Sequence, residues 1–89
     1  MFQELENLYA ICFPNRIHKW TANDFSDLKK SGAEIIASQN SFIVYRTTVD
    51  EAEIISIGVA PNARRTGTAT ALLVIMEQDV SKNGAKKYF

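Results

Sequence analysis

Apolar residues recur along the first dozen positions at intervals of three and four. Leu5, Leu8, Tyr9 and Cys12, within Phe2 to Phe13, form the stripe of an amphipathic helix. Pro14 ends it, because proline disfavours helical geometry in the residue before it. Asn15 to Lys19 reads as a loop. A second helix is predicted from Thr21, which can cap it, with Asp24 three residues on as the acidic member of a capping box. Trp20 and Phe25 have the spacing of a hydrophobic staple, and Leu28 continues the apolar face. Gly32 is the stop signal, since glycine accepts the left-handed conformation that ends helices.

The period then changes. Glu34 to Ser38 predicts a short strand, and Gln39 and Asn40 a turn. Ser41 to Thr48 is rich in β-branched and aromatic residues and predicts a second strand. Asp50 to Ala52 reads as a connection. Glu53 to Val59 is almost entirely apolar, as expected of a strand buried on both faces. Pro61 stops it, and Asn62 to Thr66 is a basic turn. Leu72, Leu73, Met76 and Val80 return to helical spacing between Gly67 and Lys82, with Gly84 closing that helix and Lys86 to Phe89 opening a further strand.

Composition narrows the function classes. With 89 residues the chain is one domain, read here as spanning 1–89. Such a chain buries only about 60–65% of its unfolded surface, which makes a lone core marginal. Ten basic and ten acidic residues cancel, which argues against a nucleic-acid binder dependent on excess cations. No apolar run approaches the roughly 20 residues of a membrane span, and no signal peptide is evident. One cysteine and one histidine, Cys12 and His18, leave a metal site almost without ligands, so no metal is expected. Cys12 reads as a core residue, His18 as a loop residue, Tyr9 and Tyr45 as packing, and Lys82, Lys86 and Lys87 as a solvated helix end. A cytoplasmic domain is the expectation.

The stretch from Ile57 to Ala69 carries the chemistry: a strand, a tight turn with two arginines, then a helix. A helix N-terminus presents unpaired N–H groups and partial positive charge. Arg64 and Arg65 precede that end, and no acid lies between Glu53 and Glu77. Placing a cation there costs about 0.3–1 kcal/mol per exposed charge. A bound anion reverses the sign, because charge-assisted hydrogen bonds contribute about 1.5–3 kcal/mol each. Gly67 allows close backbone approach, and Ala69 keeps the first turn open. The same residues also suit a plain solvated turn. A Walker loop and a dinucleotide-binding glycine triplet are both absent.

Arg64-x-x-Gly67-x-Ala69 resembles the acetyl-CoA-binding motif Arg/Gln-x-x-Gly-x-Gly/Ala of the GNAT N-acetyltransferase superfamily. Val59-x-Pro61 before it and Leu72-Leu73 after it fit the same pattern. Phe13-Pro14, Trp20, Phe25 and Asp50-Glu51-Ala52 resemble ribosomal-protein-alanine N-acetyltransferases. The resemblance implies an α/β (α+β) GNAT fold: two helices, antiparallel strands, the cofactor-binding helix and a strand stub. It implies acetyl-CoA as co-substrate and an amine as acceptor, in the finest form the N-terminal alanine of a ribosomal protein. Ile57, Gly58 and Val59 would offer backbone groups to the pantetheine arm, with the Val59 amide as oxyanion donor. Arg64, Arg65, Thr66, Gly67, Thr68, Ala69 and Thr70 would wrap the pyrophosphate.

A neutral amine attacks the thioester, so a general base helps. Glu53, six residues before Val59, matches the base of the histone-acetylating members, and regular alternation would put 53, 55, 57 and 59 on one face. Ribosomal-alanine acetyltransferases instead use a glutamate on the following strand. Family domains run to about 140 residues, so the resemblance implies that the first strand, the later strands and the usual tyrosine acid are lacking. The alternative reading is an inactive relative that binds CoA or only a partner chain; a generic phosphate-binding module is a third. An incomplete sheet would leave an open edge, which predicts a homodimer through the C-terminal segment.

Overall fold

The computed structural model describes residues 2–48, 51–82 and 87–88. Two helices, α1 (Phe2–Cys12) and α2 (Ala22–Lys30), precede the strands β1 (Glu34–Ala37), β2 (Ser41–Thr47) and β3 (Glu51–Val59). A 3-10 turn over Pro61–Ala63 leads to α3 (Thr68–Lys82), and β4 (Lys87–Tyr88) follows. The sheet runs β1-β2-β3-β4, antiparallel except for the parallel β3–β4 pair. This is the predicted element order.

Local chemistry explains the helix ends. Asp24 N–H donates to Thr21 Oγ1 at 3.2 Å and Thr21 N–H to Asp24 Oδ2 at 2.8 Å, closing the capping box. Trp20 and Phe25 meet with ring centroids 5.3 Å apart, completing the staple. At the other end Gly32 has φ +100. Ala33 N–H reaches back to the Leu28 carbonyl and Gly32 N–H to that of Lys29, a Schellman ending. Gly84 lies outside the described residues.

β2 is the central strand, and its alternation divides the core in two. Phe42 and Val44 face α1 and α2, packing with Leu5, Leu8, Tyr9, Cys12 and Phe25. Ile43 and Tyr45 face α3, packing with Leu72, Met76 and Val80. The aromatic rings of Tyr9, Phe13, Trp20, Phe25 and Phe42 interlock on the first face, with Tyr9 stacked on Trp20 at 5.2 Å. The Tyr45 hydroxyl crosses to α3 and donates to the Asp79 carboxylate at 2.5 Å.

Three expectations change. β3 begins at Glu51, two residues earlier than read, because Ala52 pairs with Thr47 and Thr48 N–H donates to the Glu51 carbonyl at 2.7 Å. β3 is also not buried on both faces: Ile54 to Ile57 are half-buried. Among the described residues, β4 pairs only with Glu51 and Ala52, so most of that edge has no neighbouring strand. Third, alternation along β3 is broken. Tyr45 pairs with Ile54 while Val44 pairs with Ser56, so Ile55 is an extra residue, a β-bulge. Glu53 therefore pairs with Arg46 on the face of Phe42 and Val44, whereas Ile57 pairs with Ile43 on the α3 face. Positions 53 and 57 do not share a face.

Candidate cofactor site

β3, the 3-10 turn and the start of α3 meet at a cleft of about 260 Å³, lined by Val59, Ala63, Arg64, Arg65, Gly67, Thr68, Ala69 and Thr70. Pro61 starts the 3-10 turn, which closes through Ala63 N–H on the Ala60 carbonyl at 2.9 Å. The backbone then passes through two left-handed residues, Arg65 (φ 65) and Gly67 (φ 81). Arg65 is the only non-glycine residue with positive φ among the described residues. Such a conformation is unfavourable for a β-carbon-bearing residue and tends to persist where a function needs it.

Thr66 fastens the turn from within. Its hydroxyl donates to the Ala63 carbonyl at 2.6 Å and lies 2.7 Å from Thr68 Oγ1. Ala71 N–H is bonded to the Gly67 carbonyl at 2.9 Å, so Thr68, Ala69 and Thr70 are the amides ahead of the helical ladder. A β-carbon built on Gly67 meets nothing within 4 Å, so the space beside it is open. The lining contains two exposed arginines, Arg64 and Arg65, and no carboxylate. Free helix amides, the dipole and a neighbouring guanidinium make a donor set suited to a phosphate or diphosphate.

Arg64 behaves differently from its expected role. Its Nε donates to the Val59 carbonyl at 3.0 Å and its Nη2 to the Cys12 carbonyl at 3.1 Å. The side chain thus ties the end of β3 to the end of α1. The last turn of α1 has no basic residue of its own, and Arg64 supplies the cation its carbonyls favour. Burial pushes the neighbouring Cys12 thiol above its ordinary value, and the Arg64 charge opposes part of that rise.

The structure brings Val59, Arg64, Arg65, Gly67, Thr68, Ala69 and Thr70 together around the cleft, with Thr66 bracing it. Ile57 and Gly58 lie on the strand leading to it and do not line it. Gly58 is buried against Phe42. Glu53 is exposed, and six residues of extended chain put it roughly 20 Å from Val59 at about 3.3 Å per residue. Sequence reading missed Ala63 as a lining residue. Proline at the start of a short helical turn was the available signal. A larger groove of about 550 Å³ between α1 and β1, lined by Phe2, Leu5, Leu8 and Ile35 among others, shares no residue with the cleft. Its lining is mainly apolar and lacks the amide cluster that gives the smaller cleft its chemistry. Among the described residues there is no group of three His, Cys, Asp or Glu that could hold a metal ion, and no helix long and apolar enough to cross a membrane.

Comparison with known proteins follows the same lines. No curated protein sequence matches the chain significantly. Among solved structures, the chain is similar to the ribosomal-protein-S18-alanine N-acetyltransferase from Escherichia coli, with a TM-score of 0.75 at 18% identity, covering 94% of this chain and 56% of that one. It is similar to an aminoglycoside 6'-N-acetyltransferase complexed with coenzyme A, with a TM-score of 0.75 at 18% identity over 94% of this chain and 51% of that one. It is also similar to the ribosomal-protein-alanine N-acetyltransferase from Brucella melitensis biovar Abortus 2308, with a TM-score of 0.69 at 17% identity, over 98% of this chain and 70% of that one. The chain thus spans little more than half the length of the first two. Residues 2–89 match the acetyltransferase (GNAT) family, and the chain, with its partial α/β fold of that type, belongs to it.

Proposed function

We propose that this chain is the cofactor-binding part of an N-acetyltransferase that moves an acetyl group from acetyl-CoA to an amine, in the finest reading the N-terminal alanine of a ribosomal protein. The observation that carries this is the cleft at the start of α3, with two left-handed residues, free first-turn amides and an exposed Arg65. In this reading those amides and Arg65 take the pyrophosphate. The backbone of Ile57 to Val59 holds the pantetheine arm in an extended line, as a strand partner would. Val59 N–H donates to the thioester carbonyl, where negative charge develops as the amine attacks. The amine nitrogen bonds to the acetyl carbon, the carbon–sulfur bond breaks, and the amine proton leaves to a base. A cytoplasmic location goes with that substrate.

Glu53 is the carboxylate this reading assigns as base, acting through water, but it stands roughly 20 Å from Val59, farther than one bridging water spans. That same distance favours the second reading, a chain that binds CoA or a partner without turnover. The exposed Val74 and Ile75 on α3 and, among the described residues, the unpaired length of β3 support association through the C-terminal edge as a homodimer.

Calorimetric titration with acetyl-CoA, with Arg64→Ala/Arg65→Ala as control, tests the site. Micromolar binding lost in the double variant supports it, and no binding refutes it. Mass-spectrometric assay of peptides beginning with alanine then tests turnover. Glu53→Gln abolishes turnover if Glu53 is the base. Light scattering that shows a stable monomer at micromolar concentration overturns the dimer.

A further inference from the structure

Arg64 joins two segments that are 52 residues apart in sequence. One is the turn that forms the cleft; the other is the C-terminus of α1, from which the loop to α2 departs. The start of the loop has contacts of its own: Phe13 N–H donates to the Tyr9 carbonyl at 2.9 Å, Arg16 N–H to the Phe13 carbonyl at 3.3 Å, and the Phe13 ring packs on Tyr9. Arg16 donates through Nη1 to Tyr9 Oη at 2.8 Å and lies over the Phe13 ring at 4.2 Å. Lys19 Nζ donates to the Arg16 carbonyl at 2.9 Å. Ile17 is 92% exposed and Pro14, Asn15 and His18 are exposed as well. The anchor at the loop's entrance therefore includes a guanidinium that belongs to the anion-binding turn.

We infer that Arg64 is a positioning residue that couples the cleft to the α1–α2 loop, rather than a phosphate ligand: occupation of the turn by a diphosphate-bearing molecule orders the loop, and an ordered loop tightens binding in the turn. The inference rests on the reading of the cleft as a CoA site. Its physical basis is geometric. Both nitrogens of the guanidinium fork that bond are directed at carbonyls, Val59 and Cys12, so the side chain is already engaged when the cleft is formed. A ligand that binds the turn in this arrangement selects the bracketed state over any state in which Arg64 has let go. Linkage then requires the reverse effect to be equally large. Arg65, exposed and left-handed, remains to meet the ligand.

Charge and geometry make separate demands, which allows a test. Lysine keeps the charge but presents no planar fork, so it cannot serve both carbonyls in the same way. The experiment measures amide hydrogen exchange over 13–19, with and without CoA, together with CoA affinity by calorimetry, in the wild-type chain, Arg64→Lys, Arg64→Ala and Arg65→Ala. In the ligand-free protein, Arg64→Lys should speed exchange at Phe13 and Arg16, whose N–H groups are bonded to the Tyr9 and Phe13 carbonyls, about tenfold, as expected for loss of about 1.4 kcal/mol of anchoring. CoA should slow loop exchange at least threefold in the wild type and not in Arg64→Lys. Arg65→Ala should weaken CoA binding about tenfold, yet saturating CoA should still slow its loop.

A role in fold stability alone leaves the ligand-dependent slowing in place in the lysine variant, and that outcome overturns the inference. So does wild-type CoA affinity in Arg64→Lys combined with loss in Arg64→Ala, which marks a charge contact to phosphate. Faster loop exchange on CoA binding also overturns it, since the ligand would then be drawing Arg64 away. If Arg64→Ala does not fold, the lysine variant and the wild-type comparison still decide. If CoA does not bind the wild-type chain at all, the reading of the cleft fails; the ligand-free exchange of Arg64→Lys then separately decides whether the bracket holds the loop.

Discussion

Gly58 lies against the ring of Phe42 so closely that a β-carbon on it would stand 2.5 Å from Phe42 Cε1 and 3.2 Å from Cys12 Cβ. Phe42 is fully buried and cannot move aside without disturbing the aromatic cluster. Gly58→Ala should therefore destabilise the protein by about 1–3 kcal/mol, the usual cost of overpacking a core. Thermal unfolding is the measurement, and a drop of roughly 4–8 °C per kcal/mol is the scale for a domain of this size. An unchanged midpoint would show that the ring has room to yield.

Gly67 makes a contrasting case. No atom lies within 4 Å of a β-carbon placed there, but its φ is +81. Gly67→Ala should cost about 1–2 kcal/mol through backbone conformation alone. It also puts a methyl group in the lining of the cleft. CoA affinity should fall by more than the stability loss explains. Calorimetry on the folded variant checks this, and equal affinity would separate Gly67 from the ligand site.

The Tyr45–Asp79 bond should make stability sensitive to alkali. Burial raises the Tyr45 hydroxyl above its ordinary value, and the bond to Asp79 and the charges of Asp79 and Glu34 add to the rise. The folded value lies above the unfolded one, so the contribution is complete below about pH 10 and is lost as pH rises further. Tyr45→Phe should cost about 1–3 kcal/mol at neutral pH. Urea unfolding from pH 7 to 11 should show the wild type converging on the variant as pH increases. Parallel curves would refute this.

Glu6 gives the opposite dependence. Its carboxylate accepts Ala22 N–H and Gln3 Nε2, each at 2.8 Å, and these bonds hold it below its ordinary value of 4.5 despite partial opposition from burial and from Asp24. The folded value is depressed, so the contribution is present above about pH 4.5 and is lost as pH falls through the lower folded value. The stability difference between wild type and Glu6→Gln should be flat from pH 6 to 7 and shrink in acid. A constant difference down to pH 3 would show that the bond to Ala22 does not depend on charge.

Much of the architecture was legible because its causes are local. Thr21, Asp24, Trp20 and Phe25 specify a helix start within six residues, and Leu28 to Ala33 specify its end. The turn that forms the cleft was legible for the same reason: Pro61, the arginine pair and Gly67 lie within seven residues. Glu53 shows where this stops. Its face depends on an extra residue at Ile55, and EIISIG is apolar in either register. No pattern in the strand marks the bulge; pairing with β2 decides it.

Sequence alone settled the order of the elements, the start and end of α2 and the position of the turn between β3 and α3. These follow from propensity, capping and periodicity, which act over a few residues. Tertiary structure decided that Arg64 spends its guanidinium on Cys12 and Val59, that Glu53 faces away from Ile57, that Gly58 must lack a side chain and that β3 is half-buried. Each of those depends on a contact between segments that the chain brings together only by folding, and such contacts leave no local signature to read.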